Sequence, residues 1–132
     1  MVQIRDAFSG FSVDDIDAAR EFYGTALGLT VDDAASAGGL TVRLPSGQGV
    51  FVYPKGEAHV PAEFTVLNLV VDDIDRAVDE LNAAGVETKI YSGDESYGTD
   101  ERGINRGSAS GTGPDIAWFR DPAGNVLSVL VE

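Results

Sequence analysis

Val13-Asp14-Asp15-Ile16-Asp17 recurs as Val71-Asp72-Asp73-Ile74-Asp75, each time closing an apolar stretch and opening one with helical spacing. Pro45-Ser46-Gly47-Gln48 is answered by Pro122-Ala123-Gly124-Asn125, each just before a run of strand-forming residues. The order of elements is therefore duplicated, which constrains the fold to two similar units. The first pair is offset by 58 residues (71 − 13) and the second by 77 (122 − 45). The second unit thus carries about 19 more residues (77 − 58) between its helix and its last strand, and the Gly- and Ser-rich stretch 92–114 accommodates them.

Periodicity assigns the elements. Ile4 to Val13 reads as a strand, and Asp14 to Leu27 as a helix capped by Asp14, with Ile16, Ala19, Tyr23 and Ala26 on one face and Gly28 as its stop. Leu29 to Ala34, Leu40 to Leu44 and Val50 to Tyr53 read as strands, separated by Ala-Gly-Gly and Pro-Ser-Gly turn material. In the second half, Phe64 to Val71 is a strand and Asp72 to Ala84 a helix, with Ile74, Ala77, Leu81 and Ala84 on one face and Gly85 as its stop. Val86 to Tyr91, Ile116 to Arg120 and Val126 to Val131 complete it. The class is α+β: two βαβββ modules, 1–54 and 64–132, joined by a linker at 55–63, with an inserted loop at 92–114.

A module with one helix covers one face of its sheet and leaves the other bare, so two such modules are expected to share or curve their sheets around a cleft. Side chains alternate along a strand. That alternation puts Phe8, Gly10 and Ser12 on the open side of the first strand, and Val66, Asn68 and Val70 on that of its counterpart. Arg43, Phe51, Tyr53, Trp118 and Ser128 join them by the same count. The candidate ligand-binding set is therefore Phe8, Ser12, Arg43, Phe51, Tyr53, Val66, Asn68, Trp118 and Ser128. Aromatic walls would stack an organic ligand while Arg43 and Asn68 orient its polar groups; the competing reading is that the rings only fill space.

Composition narrows the partners. No cysteine is present, which removes disulfides, thiolate metal sites and cysteine nucleophiles. The net charge of −13, without any basic cluster, argues against nucleic acid and anionic membrane surfaces, would attract cations, and otherwise reads as a solvated exterior. No signal-length or membrane-spanning apolar run occurs, so a cytoplasmic location is expected. The sole histidine, His59, falls in the linker and reads as an exposed residue without function. Ser108 and Ser110 have no histidine near them in sequence, and Gly111-Thr112-Gly113 lacks the lysine of a phosphate loop.

Residues 13–29, Val-Asp-Asp-Ile-Asp-Ala-Ala-Arg-Glu-Phe-Tyr-Gly-Thr-Ala-Leu-Gly-Leu, and 119–129, Phe-Arg-Asp-Pro-Ala-Gly-Asn-Val-Leu-Ser-Val, resemble the vicinal oxygen chelate superfamily. That superfamily includes glyoxalase I, extradiol dioxygenases and the bleomycin and fosfomycin resistance proteins. The resemblance implies paired βαβββ modules around a cleft, commonly within a homodimer. Its metalloenzymes draw ligands from the first and last strands of each module, positions that fall here on Phe8, Phe51, Val66 and Ser128. None offers the imidazole or carboxylate a divalent metal needs, so no metal and no cofactor are expected. The reading that follows is a glyoxalase/bleomycin-resistance-like protein that binds a small organic ligand in a metal-free aromatic cleft, for sequestration, resistance or sensing. A lyase, isomerase or dioxygenase-type enzyme, or a noncatalytic scaffold with a plugged cleft, are the alternatives.

Overall fold

The computed structural model describes residues 1–34 and 38–132, so Ala37 of the expected Ala-Gly-Gly turn lies outside the described residues. The chain divides into two compact units, Met1–Val60 and Pro61–Glu132, a boundary inside the expected linker. The first unit contains β1 (Gly10–Val13), α1 (Ile16–Glu21) continued by a π-helical turn (Phe22–Ala26), β2 (Thr30–Asp33), β3 (Leu40–Arg43) and β4 (Gly49–Pro54). Its sheet runs in the order β1-β4-β3-β2, with β1 parallel to β4 and the other pairs antiparallel. The second unit contains β5 (Thr65–Val70), α2 (Ile74–Ala83), β6 (Ile104–Arg106), α3 (Gly107–Ser110), β7 (Asp115–Arg120) and β8 (Val126–Val131), with the matching order β5-β8-β7-β6. The duplicated α+β architecture is as expected: two open four-stranded mixed sheets, each from one βαβββ unit. No helix among the described residues is long and apolar enough to cross a membrane.

The caps are Asp15, one residue after the expected Asp14, and Asp73, so the helices begin at Ile16 and Ile74 and not at Asp14 and Asp72. Asp15 and Asp73 have extended backbone, and their carboxylates accept from the N–H groups of Asp17 and Ala18, and of Arg76. Only the second Asp of each pair lies within reach of the free N–H groups of the first turn. The first helix also ends differently: Leu27 donates to the Phe22 carbonyl at 3.0 Å, five residues back. Gly24 and Thr25 have weak preference for a tight α-turn, and the wider turn still buries Phe22 and Tyr23. In α2 the buried stripe is Ile74, Val78 and Leu81, while Ala84 is exposed.

The expected strand from Ile4 is shorter, beginning at Gly10. Its partner β4 starts at Gly49 and pairs Phe51 with Gly10, so the chain before Ser9 has no ladder to join, and Ile4 and Phe8 stay exposed. Val86 to Tyr91 is likewise no strand, and the place beside β7 is taken by Ile104–Arg106, inside the stretch read as an insertion. Local hydrogen bonds explain this: Asn82 Nδ2 donates to the Val86 carbonyl and Thr88 Oγ1, and Thr88 Oγ1 donates to the Arg102 carbonyl. Bonds made this way hold Val86 to Thr88 against α2 and the turn before β6.

Ion pairs bind the same region to α2. Arg106 meets Asp75 in two hydrogen bonds, at 2.7 and 2.9 Å, and Arg102 reaches Asp75 at 2.8 Å and also pairs with Asp79. Hydrogen bonding from Arg106, with Arg102 behind it, holds the Asp75 carboxyl at about 2 against an ordinary 3.8. A depressed carboxylate contributes stability that is present above the unfolded value and lost as pH falls through the folded one. Acid titration of the native protein should therefore show a loss of stability between those two values that is shallower in Asp75→Asn. Equal slopes in urea melts of the two proteins would count against this clamp. Solvent reaches both partners, Arg106 and Asp75 being 41% and 49% exposed, and its screening keeps the effect small.

Candidate functional site

The first sheet has a covered and an open face. Phe11, Val13, Val50, Val52, Leu40 and Val42 are buried. Their neighbours along each strand, Gly10, Ser12, Phe51, Tyr53, Thr41 and Arg43, point the other way, and register brings them side by side: Ser12 against Tyr53, Thr41 against Phe51. The Phe51 and Tyr53 rings stack 5.4 Å apart at 25°, and Phe8 meets Phe51 edge-on at 6.4 Å. Small residues make room for this wall. A β-carbon at Gly39 would come within 2.6 Å of the Phe51 ring, and one at Gly10 within 2.9 Å of the Phe51 carbonyl.

Polar groups border the rings. Ser12 Oγ and His59 Nδ1 are 2.7 Å apart, so His59 is half-buried against β1 and not the exposed linker residue expected. Sequence distance hid this contact, since 47 residues separate the two. Arg43 is held by Asp32, Nε to Oδ2 at 3.1 Å, with both side chains about half exposed. Such a pair orients the guanidinium more than it stabilises the fold.

On the second sheet, Asn68, Ser128 and Trp118 fall in one row of the register and share a face. Ser128 is fully buried and its Oγ donates to Asn68 Oδ1 at 2.6 Å. Val66 sits where the register slips between Thr65 and Leu67, so simple alternation does not carry it into that row. Trp118 is joined by Tyr91 at 5.8 Å, and Tyr91 by Tyr97 at 4.7 Å. Neither tyrosine belongs to the set expected from strand alternation, and both lie outside the strands. Burial raises the Tyr91 hydroxyl above its usual range, partly opposed by Arg120. The predicted residues thus form one group of five on the first sheet and one of three on the second, with Val66 at the bulge.

The four positions where metal ligands would stand do not suit a divalent ion. Phe8, Phe51 and Val66 carry no donor atom, and the Ser128 hydroxyl is engaged with Asn68. Among the described residues, no three His, Asp or Glu side chains gather as a metal site.

The sequence profile of the Glyoxalase/Bleomycin resistance protein/Dioxygenase superfamily matches residues 7–129. The chain belongs to that superfamily. Among solved structures it is similar to a glyoxalase-family protein of Bacillus anthracis, at 17% identity and a TM-score of 0.69, covering 100% of this chain and 99% of that one. The antibiotic-binding protein TnmS3 of a Streptomyces species matches at 20% identity and a TM-score of 0.66, covering 98% of each chain. A glyoxalase/bleomycin resistance protein of Catenulispora acidiphila matches at 20% identity and a TM-score of 0.61, covering 96% of this chain and 97% of that one. No curated protein matches. At these identities the likeness establishes the superfamily fold and leaves function to the site.

Proposed function

We propose that this superfamily member binds a small organic ligand, without a metal or cofactor, on the aromatic open faces of its sheets, as a cytoplasmic homodimer that sequesters or senses the ligand. One observation carries the reading: the stacked Phe51 and Tyr53 rings lie in register with strands that present Ser12, paired to His59, and Arg43, paired to Asp32. Flat apolar surface bordered by a few fixed polar groups is what an organic ligand requires. The antibiotic-binding character of TnmS3 is consistent with it, and the donor-poor residues at the four metal positions favour binding over metal-assisted chemistry.

A chemically broad ligand panel at millimolar concentration, read by melting temperature, tests the proposal. A true ligand at a hundred times its Kd should stabilise the protein by about 2.7 kcal/mol. Phe51→Ala should weaken that ligand by about tenfold or more, through loss of stacking area. Added Mn, Fe, Ni or Zn ions should leave the melting temperature unchanged. No response to any panel member, or about one equivalent of tightly held metal per chain with clear stabilisation, would overturn the proposal.

A further inference from the structure

Three rings on the second unit meet almost at right angles. Tyr91 and Tyr97 are 84° apart in plane and Tyr91 and Trp118 72° apart. Trp118 comes from β7, Tyr91 from the segment after α2, and Tyr97 from the turn that follows the short 3-10 helix Gly93–Glu95. Among the described residues, Tyr97 alone outside glycine has a positive φ, 51°. Its side chain is nevertheless exposed, at 57%. Hydrogen bonds keep the turn in place, among them Asn105 Nδ2 donating to the Tyr97 carbonyl at 2.7 Å and Thr99 Oγ1 to the Ser96 carbonyl at 2.6 Å. Packing on Tyr91 at 4.7 Å covers one part of the ring and the rest stays in solvent. Backbone strain retained to present an exposed ring points to a contact with something outside the chain.

The chemistry of that contact follows from the walls. Perpendicular electron-rich faces attract a cation through their quadrupoles, best with Trp and then Tyr. Charge along the turn has the same preference, since Asp94, Glu95, Asp100 and Glu101 flank Tyr97 in sequence, against the one ammonium bound there, Lys89 Nζ, which is held by the Thr99 carbonyl and Oγ1 at 3.2 and 2.7 Å. Arg120 opposes it, being exposed and close enough to act on the Tyr91 hydroxyl. We propose that Tyr91, Tyr97 and Trp118 form an aromatic corner that takes an alkylammonium group, with Tyr97 as its selecting residue. This names a chemical class for part of the ligand in the binding function proposed above, and rests on that function.

Trp118 is the sole tryptophan, so its fluorescence reports on the corner directly. Choline and its neutral carbon isostere, dimethylbutanol, are titrated into the full-length protein. Choline should give a saturable change, with the isostere weaker by about tenfold. Tyr97→Gly should lose about tenfold in choline affinity while its melting temperature stays equal or rises, because glycine relaxes the strained turn. Tyr97→Phe should keep the affinity, and Arg120→Gln should increase it. No saturable response to choline, an equal response to dimethylbutanol, or undiminished binding in a folded Tyr97→Gly would overturn the inference. If the melting panel still finds a neutral ligand in that event, the corner alone fails; if it finds none, the proposed binding function fails with it.

Discussion

Gly103→Ala is expected to cost about 4 kcal/mol or more, among the largest effects of any single methyl added to this protein. A β-carbon at Gly103 would lie 1.9 Å from the Thr88 carbonyl oxygen and 2.9 Å from the Lys89 nitrogen. Both are backbone atoms, so no rotamer change can relieve the clash. Its φ of 85° adds strain for any residue with a side chain. Making room means separating the turn before β6 from the segment after α2, and that breaks the Thr88 bond to the Arg102 carbonyl and shifts Arg102 from Asp75. Gly111→Ala separates the two causes. Gly111 has a φ of 70° but nothing within 4 Å of its added carbon, so conformational strain alone applies, about 1 kcal/mol. Urea unfolding of both variants by circular dichroism checks this, and similar midpoints would show that the Thr88 contact yields easily.

Asp121→Ala is expected to cost about 3–5 kcal/mol, because a buried carboxylate would be removed from donors that stay behind. Asp121 and Asn125 are 4% and 1% exposed. Asp121 Oδ1 accepts from the N–H groups of Ala123 and Asn125 at 3.0 and 2.9 Å, and Oδ2 from the Asn125 side-chain amide at 3.1 Å. Asn125 Oδ1 in turn accepts from the Ala62 N–H at 3.0 Å, and Val126 donates to the Ala62 carbonyl. The turn thereby anchors the entry to the second unit beside the start of β8. Asn125→Ala should be non-additive with Asp121→Ala, since each change destroys the same network. Losses that simply sum in a double-mutant cycle would show the two residues to act separately.

The first half contains the corresponding turn without this chemistry. Leu44 donates to the Gln48 carbonyl at 2.8 Å and Gly47 to the Leu44 carbonyl at 2.8 Å, repeating the backbone pattern of Asp121 to Asn125. Leu44 cannot accept as Asp121 does. The Pro-x-Gly signal was legible as a turn in both halves because it is local. That one copy serves as a buried polar anchor was not, because Ala62 lies 63 residues from Asn125.

The same division runs through the candidate site. Alternation along each strand placed Ser12 with Tyr53, and Asn68 with Ser128, on shared faces, because side-chain direction depends only on the strand's own pleat. The count is interrupted at Val66, where the register shifts between Thr65 and Leu67, and it could not reveal that His59 turns back to Ser12. Tyr97 carried no signal beyond a glycine neighbour, since its conformation is imposed by Asn105 and by the turn.

The duplicated order of elements, the two α+β units and the covered faces of their sheets were decided by the chain alone. Helical and strand periodicities and turn residues act over a few neighbours and survive in any context. Tertiary structure decided which segment lines β7, where the helices are capped, and which polar and aromatic groups meet. Those outcomes depend on competition: Val86 to Tyr91 has a strand-like pattern, yet its Val86 carbonyl and Thr88 hydroxyl are engaged by Asn82 and by the turn at Arg102, and Ile104–Arg106 completes the sheet. A choice between partners so far apart in the chain is made by packing, and no local pattern records it.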